Sequence, residues 1–223
     1  AAPDADSALI TASDVIRDVE TAMYKAKADG RCRICVFTHS MHDDVVKRLT
    51  IETELRAALR NDEFTLHYQP IVDLNTGHLR GFEALVRWQK PNCTMVPPLD
   101  FIPIAEETRL VLPLGWWVLE EASRQLKDWQ ERFPSSKPLT MNINLSKVQL
   151  LESHFVEDCA QFLKQCGVAA NTIKLEVTES IIMGATDSVT PILHRLRELG
   201  LGLSMDDFGT GHSSLSCLSQ FPI

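Results

Sequence analysis

Hard oxygen donors recur at the ends of apolar, strand-like runs in this chain. Glu83 lies inside Gly81-Phe82-Glu83-Ala84-Leu85-Val86-Arg87-Trp88, Asn144 closes Met141-Asn142-Ile143-Asn144, Glu176 and Glu179 sit in Ile173-Lys174-Leu175-Glu176-Val177-Thr178-Glu179, and Asp206-Asp207 follow Leu201-Gly202-Leu203-Ser204-Met205. A carboxylate inside an apolar run has to be satisfied by a partner. Carboxylate and amide oxygens are the ligands that hard divalent cations such as Mg²⁺ and Mn²⁺ prefer. Taken singly, each acid could equally be a helix cap or half of an ion pair. Asp206-Asp207, followed by Gly209 and Gly211, could be only a turn with Asp207 capping a helix near Ser213.

The spacing indicates the scaffold. Asn144 and Glu176 are 32 positions apart, and Glu176 and Asp206 are 30 apart, about the length of one strand-helix-strand unit. Ser146 reads as the N-cap of a helix over 148–166 that stops at Gly167, and Asp187 to Leu199 reads as another ending at Gly200. Strands alternating with helices predict a parallel sheet, and acids at its C-terminal strand ends predict a barrel-type active face. Leu66 to Leu74 and Leu79 to Arg87 are two strand-like runs separated by Asn75-Thr76-Gly77-His78, a link so short that the pair must be antiparallel. Residues 91–103 read as a Pro-rich surface loop. Leu114 to Arg132 reads as a helix whose Trp116, Trp117 and Trp129 belong to the core.

These residues also carry a family resemblance. Tyr68-Gln69-Pro70-Ile71-Val72, Glu83-Ala84-Leu85-Val86-Arg87-Trp88, Asn142-Ile143-Asn144-Leu145-Ser146, Glu176-Val177-Thr178-Glu179 and Asp206-Asp207-Phe208-Gly209-Thr210-Gly211 resemble, in order, the motifs of the EAL domain. The resemblance implies a TIM-like (β/α) barrel with an antiparallel first strand, and a phosphodiesterase that linearises cyclic di-GMP. Such a reaction needs an activated water and neutralised phosphate charge, which a pair of divalent metals about 3.5–4 Å apart supplies. By the resemblance, Glu83, Asn144, Glu176 and Asp206 would hold one Mg²⁺ or Mn²⁺, with Asp206 and Asp207 serving the other. Glu179 would support the turn at Asp206-Asp207-Phe208-Gly209. Arg87 would clamp a phosphate with its planar fork, or instead pair with Glu83 or Glu106. Gln69 and Leu85 would line the dinucleotide groove.

The same resemblance sets an expectation for the chain's end. A family barrel continues with three more strands, carrying a water-positioning lysine, a later acidic motif and a final glutamine. After a short helical signal at 212–220 the sequence stops at Ile223. The expectation is an incomplete barrel over 62–223 that does not hydrolyse cyclic di-GMP by itself.

Residues 1–39 resemble the C-terminal tail of a GGDEF domain, with Ala22-Met23-Tyr24-Lys25-Ala26-Lys27 in its last helix and 34–37 as the following strand. The cyclase signature is missing, so no cyclase activity is implied. Residues 40–61, with Val45, Leu49, Leu55, Ala58 and Leu59 among charges, read as an amphipathic linker helix, through which two copies could pair as a homodimer.

Composition bounds the remaining choices. Of 223 residues, 44% are hydrophobic and 23% charged, ordinary for a soluble globular protein. No run approaches the roughly 20 apolar residues of a membrane span, so a cytoplasmic chain is expected, with any membrane anchor in the parent protein lying upstream. With 22 basic and 30 acidic side chains the formal charge is −8, which argues against a nucleic-acid polymer as partner. Cys32 and Cys35 have the spacing of a zinc or redox pair, but no second pair follows. Besides the enzyme, two other readings stand: a receptor that binds cyclic di-GMP without cleaving it, and an interaction module.

Overall fold

The computed structural model describes residues 11–28, 32, 34–184, 186–207 and 209. The chain divides into two compact units, residues 1–54 and 55–223.

The first unit is helical. α1 (Ala12–Ala28) starts on a reciprocal cap: Asp14 N donates to Thr11 Oγ1 at 3.2 Å, and the Asp14 carboxylate accepts from Thr11 N at 3.1 Å, satisfying two donors of the helix start. α2 (His39–Ala58) continues into the second unit. Its C-terminal half buries Ile51, Leu55 and Ala58, the spacing of one helical face, whereas Val46 and Leu49 are exposed, so that of the expected apolar set Leu49 faces water. The expected strand over 34–37 is not formed. Ile34 and Val36 lie exposed in irregular chain, with no partner edge among the described residues to supply the ladder hydrogen bonds a strand requires.

The second unit is an α/β layer. β1 (Phe64–Val72) and β2 (Leu79–Gln89) form the expected antiparallel hairpin. Its turn is organised by Asp73, whose Oδ1 accepts from Asn75 N, Thr76 N and Thr76 Oγ1 and whose Oδ2 takes the Arg80 fork at 2.7 and 3.2 Å. The Arg80 fork, with the Thr76 bonds, holds the Asp73 carboxyl well below the usual range.

Residues 91–103 are not one loop. β3 (Met95–Val96) pairs with β2, and α3 (Pro98–Glu107) begins on Pro98. Proline at the first helical position fits because no N–H is needed there, so what reads as a loop signal is a helix start. α4 (Val111–Arg132) buries Val111, Leu114, Val118, Ala122 and Leu126, the spacing of one helical face.

β4 (Thr140–Asn144), β5 (Ile173–Thr178) and β6 (Gly202–Asp206) then join the sheet in parallel, giving the order β1-β2-β4-β5-β6. The helix expected over 148–166 is two. α5 (Lys147–Leu150) carries the Ser146–Gln149 capping box and α6 (Phe155–Cys166) ends on Gly167 at φ 76°. The break between them lets both Leu150 and Phe155 enter the core. A Cβ on Gly115 would lie 1.9 Å from the Gln149 side-chain amide, so with any larger residue at this point of α4 the Gln149 side chain would have to shift. α7 (Glu179–Gly184) and α8 (Thr186–Glu198) connect β5 to β6.

Strand alternation separates the two faces of this sheet. Ala84, Met141, Ile143, Ile173, Leu175, Val177 and Leu203 pack with α4, α6, α7 and α8 in one core, against which Trp116, Trp117 and Trp129 also pack. The intervening residues, including Glu83, Asn142, Asn144, Glu176, Ser204 and Asp206, belong to the opposite face. The helix at 212–220, and a cap by Asp207 on it, lie outside the described residues.

Candidate active site

The register lines these groups up on a diagonal. Glu83 is level with Asn142, Asn144 with Glu176, and Thr178 with Asp206. The site therefore climbs along the ladder as it crosses from β2 to β6, as the tilt of barrel strands requires.

Two amide–carboxylate bonds repeat this diagonal. Asn144 Nδ2 donates to Glu83 Oε1 at 2.7 Å, and Asn142 Nδ2 donates to Glu176 Oε1, also at 2.7 Å. In each, a side chain on one strand meets another two rungs further along on its neighbour. Glu176 Oε1 also accepts from Ser204 Oγ at 3.2 Å.

Burial is the largest influence on Glu176 and raises its pKa; the Asn142 and Ser204 bonds lower it, while the charges of Glu83 and Asp206 press it up further. The charges of Glu83 and Asp206 thus both reach Glu176. Repulsion among unneutralised acids is the electrostatic signature of a site suited to a cation. Among the described residues, no three His, Cys, Asp or Glu side chains already close on one point, so a cation would have to draw these oxygens together.

Asp206 ends β6, and Asp207 follows with φ 56° in the left-handed region, which Asp tolerates better than most residues. The backbone thus turns sharply between the two aspartates. Glu179, 2% exposed, accepts from Gly209 N at 2.7 Å through Oε2 and thereby holds the turn that carries them. Arg87 is drawn to neither Glu83 nor Glu106. Its Nη1 donates to the carbonyl of Val86 at 2.8 Å, and Glu106 is raised by burial alone. Gln69, exposed, is the register partner of Glu83, and Leu85 lies two residues further along β2.

Asn142 and Ser204 are the site residues that motif reasoning passes over. The signal is nonetheless in the sequence: each lies two positions before a predicted ligand, Asn144 or Asp206, and so on the same face of its strand.

Comparison with known proteins decides the family. The EAL domain family matches residues 52–223. The chain belongs to the EAL domain family. It is similar to the cyclic di-GMP phosphodiesterase PdeR of Escherichia coli (strain K12), with 40% identity over 94% of this chain and 31% of that protein. It is also similar to the bifunctional diguanylate cyclase/cyclic di-GMP phosphodiesterase MucR of Pseudomonas aeruginosa, with 37% identity over 95% of this chain and 31% of that one. Among solved structures, the PaMucR phosphodiesterase in complex with c-di-GMP aligns with a TM-score of 0.73 and 38% identity, covering 78% of this chain and 69% of that chain. The chain thus spans about a third of the length of these curated relatives, and its fold is that of EAL domain structures. No described helix is long and apolar enough to cross a membrane.

Proposed function

We propose that this chain contributes the metal-holding half of an EAL domain that hydrolyses cyclic di-GMP to the linear dinucleotide. The observation that carries the reading is the diagonal on one sheet face of Glu83 from the middle of β2, Asn144 and Asp206 from the ends of β4 and β6, and Glu176 from β5, with Glu83 and Asp206 both pressing on Glu176. Relatives named as cyclic di-GMP phosphodiesterases, and a related structure titled as a c-di-GMP complex, support it.

In this reading Glu83, Asn144, Glu176 and Asp206 hold one Mg²⁺ or Mn²⁺, and Asp206 and Asp207 serve a second. Such ions, when bound, supply a water that is nucleophilic at neutral pH and neutralise the phosphate. The chain's own residues do the rest. Glu179 fixes the Asp206-Asp207 turn through Gly209 N. Arg87 leaves the Val86 carbonyl to fork onto a phosphate oxygen, and Gln69 and Leu85 flank the dinucleotide. No residue of this sequence is assigned to position the attacking water, a task worth about 10²–10⁴-fold, so turnover is proposed for the whole domain.

We further read residues 1–39 as the remnant of a GGDEF-like domain, 40–61 as the linker and 62–223 as EAL domain. Alignments with PdeR and MucR that cover 94% and 95% of the chain support a shared organisation.

The test is calorimetric binding of cyclic di-GMP with and without Mn²⁺, beside a turnover assay on this chain and on a version extended to the length of the solved MucR domain. Metal-dependent conversion by the longer protein, lost on Glu83→Gln, supports the reading. Tight binding with no conversion by either protein in saturating Mn²⁺ would favour a receptor instead.

A further inference from the structure

Glu176 is gripped on one oxygen only. Asn142 Nδ2, from β4, and Ser204 Oγ, from β6, both donate to Oε1, at 2.7 and 3.2 Å, and among the described residues no donor reaches Oε2. The donors come from the two strands that flank β5, so the carboxylate is fixed from both sides while its second oxygen stays open.

The burial of Asn142 is hard to explain by folding alone. The residue is 8% exposed, and its Oδ1 is buried without a partner among the described residues. An orphaned buried carbonyl costs free energy that an apolar side chain of similar size would not. What the amide gains is its grip on Glu176.

We infer that Asn142 and Ser204 are positioning residues, a two-sided clamp that fixes Glu176 through Oε1 and presents Oε2 to a divalent cation. This inference rests on the reading of Glu176 as a cation ligand. Partners that orient a ligand are the usual means by which a protein sets metal affinity, and removing one typically costs about 10–100-fold in binding. Asn142 is the stronger arm, because its bond is shorter and its burial shields the bond from competing water.

The experiment is Mn²⁺ titration of the metal-free chain, following free Mn²⁺ by electron paramagnetic resonance, with urea unfolding of each variant run alongside. Asn142→Leu should raise the Mn²⁺ Kd about 10–100-fold, and Ser204→Ala by a smaller factor. Thr140→Val, on the same face of β4 but bonded to the Arg80 carbonyl, should leave the Kd unchanged. If Asn142→Leu fails to fold, Ser204→Ala still decides. Wild-type binding with unchanged Kd in the folded clamp variants would overturn the clamp alone, as would an equal loss in Thr140→Val, which would mark general loosening. Absence of Mn²⁺ binding by the wild type would overturn the ligand reading of Glu176 and the clamp with it.

Discussion

Asn144 at the end of β4 reaches diagonally across the sheet to Glu83 on β2, with 2.7 Å between amide nitrogen and carboxylate oxygen. Two proposed ligands of one cation are therefore already in contact. Replacing Asn144 with Ala removes an amide oxygen and leaves Glu83 without its donor. The expected result is a loss of Mn²⁺ affinity of roughly tenfold or more, with little change in stability because Asn144 is exposed. Calorimetric titrations indistinguishable from wild type would show that the pair is only a cross-strand hydrogen bond.

Arg87 rests against its own strand, donating to the Val86 carbonyl, so its fork is not tied up by an acid. A charge-assisted bond contributes about 1.5–3 kcal/mol, and loss of one on Arg87→Ala should weaken cyclic di-GMP binding roughly 10- to 100-fold. Arg87→Lys should recover only part of this, because an ammonium cannot make the planar two-point contact. Unchanged affinity in Arg87→Ala would make the residue structural.

Much of this arrangement is legible in the sequence. Period-2 alternation marks β2, β4, β5 and β6, and the Gly-containing link at 75–78 requires the antiparallel hairpin. Ser146 and Gly167 bracket the region after β4, because caps are local chemistry. What lies between them is not legible: nothing local distinguishes one helix from two when the break serves to bury Leu150 and Phe155. Pro98 misleads because the same ring that ends a helix can begin one. In the site, motif residues identify themselves by type, whereas Asn142 and Ser204 matter only through the face they share with Glu176. Isoleucine and valine at 34 and 36 have strand propensity but no partner strand among the described residues, and propensity alone does not make a strand.

The close approach of β2 and β4 depends on Gly81. A Cβ there would lie 2.1 Å from the Thr140 carbonyl oxygen, which is backbone and cannot swing aside. Gly81→Ala should destabilise the chain by about 1–3 kcal/mol, seen as a lower urea midpoint. It should also lower Mn²⁺ affinity by moving Glu83 away from Asn144. Gly77→Ala is the comparison: a Cβ at that position would meet no heavy atom within 4 Å, and φ is +67°, so only backbone strain of roughly 1 kcal/mol is expected, with Mn²⁺ binding intact.

Stability should depend on pH through Glu176. Burial and the neighbouring charges of Glu83 and Asp206 raise its pKa above the ordinary 4.5, so the folded chain holds this proton to higher pH than the unfolded chain does. The sign follows: the metal-free protein loses stability as pH rises from 4.5 through the raised value, and regains it on acidification through that window. Glu176→Gln, which keeps the shape without the charge, should therefore be the more stable protein at neutral pH, with the gap closing near pH 4.5. Parallel stability profiles for the two proteins between pH 4.5 and 8 would show that Glu176 bears no such penalty.

Cysteine reactivity tests the core directly. Cys159 of α6 is 1% exposed, and burial pushes its thiol from 9.0 up to about 12, with the Asp158 charge adding a little. Cys93 lies exposed in the β2–β3 turn. Alkylation proceeds through the thiolate. At pH 8, a thiol at about 12 instead of 9.0 offers on the order of a thousandfold less thiolate, before the barrier to reagent entry is counted. Iodoacetamide at pH 8 should thus label Cys93 in the folded protein and reach Cys159 only in urea, with peptide mass spectrometry reading each site. Because the folded state keeps this proton while the unfolded state releases it near 9.0, the same burial should weaken the fold only above that pH. Rapid labelling of Cys159 without denaturant would mean that α6 does not seal against the core, and the sheet would lose its support on the face opposite Glu176.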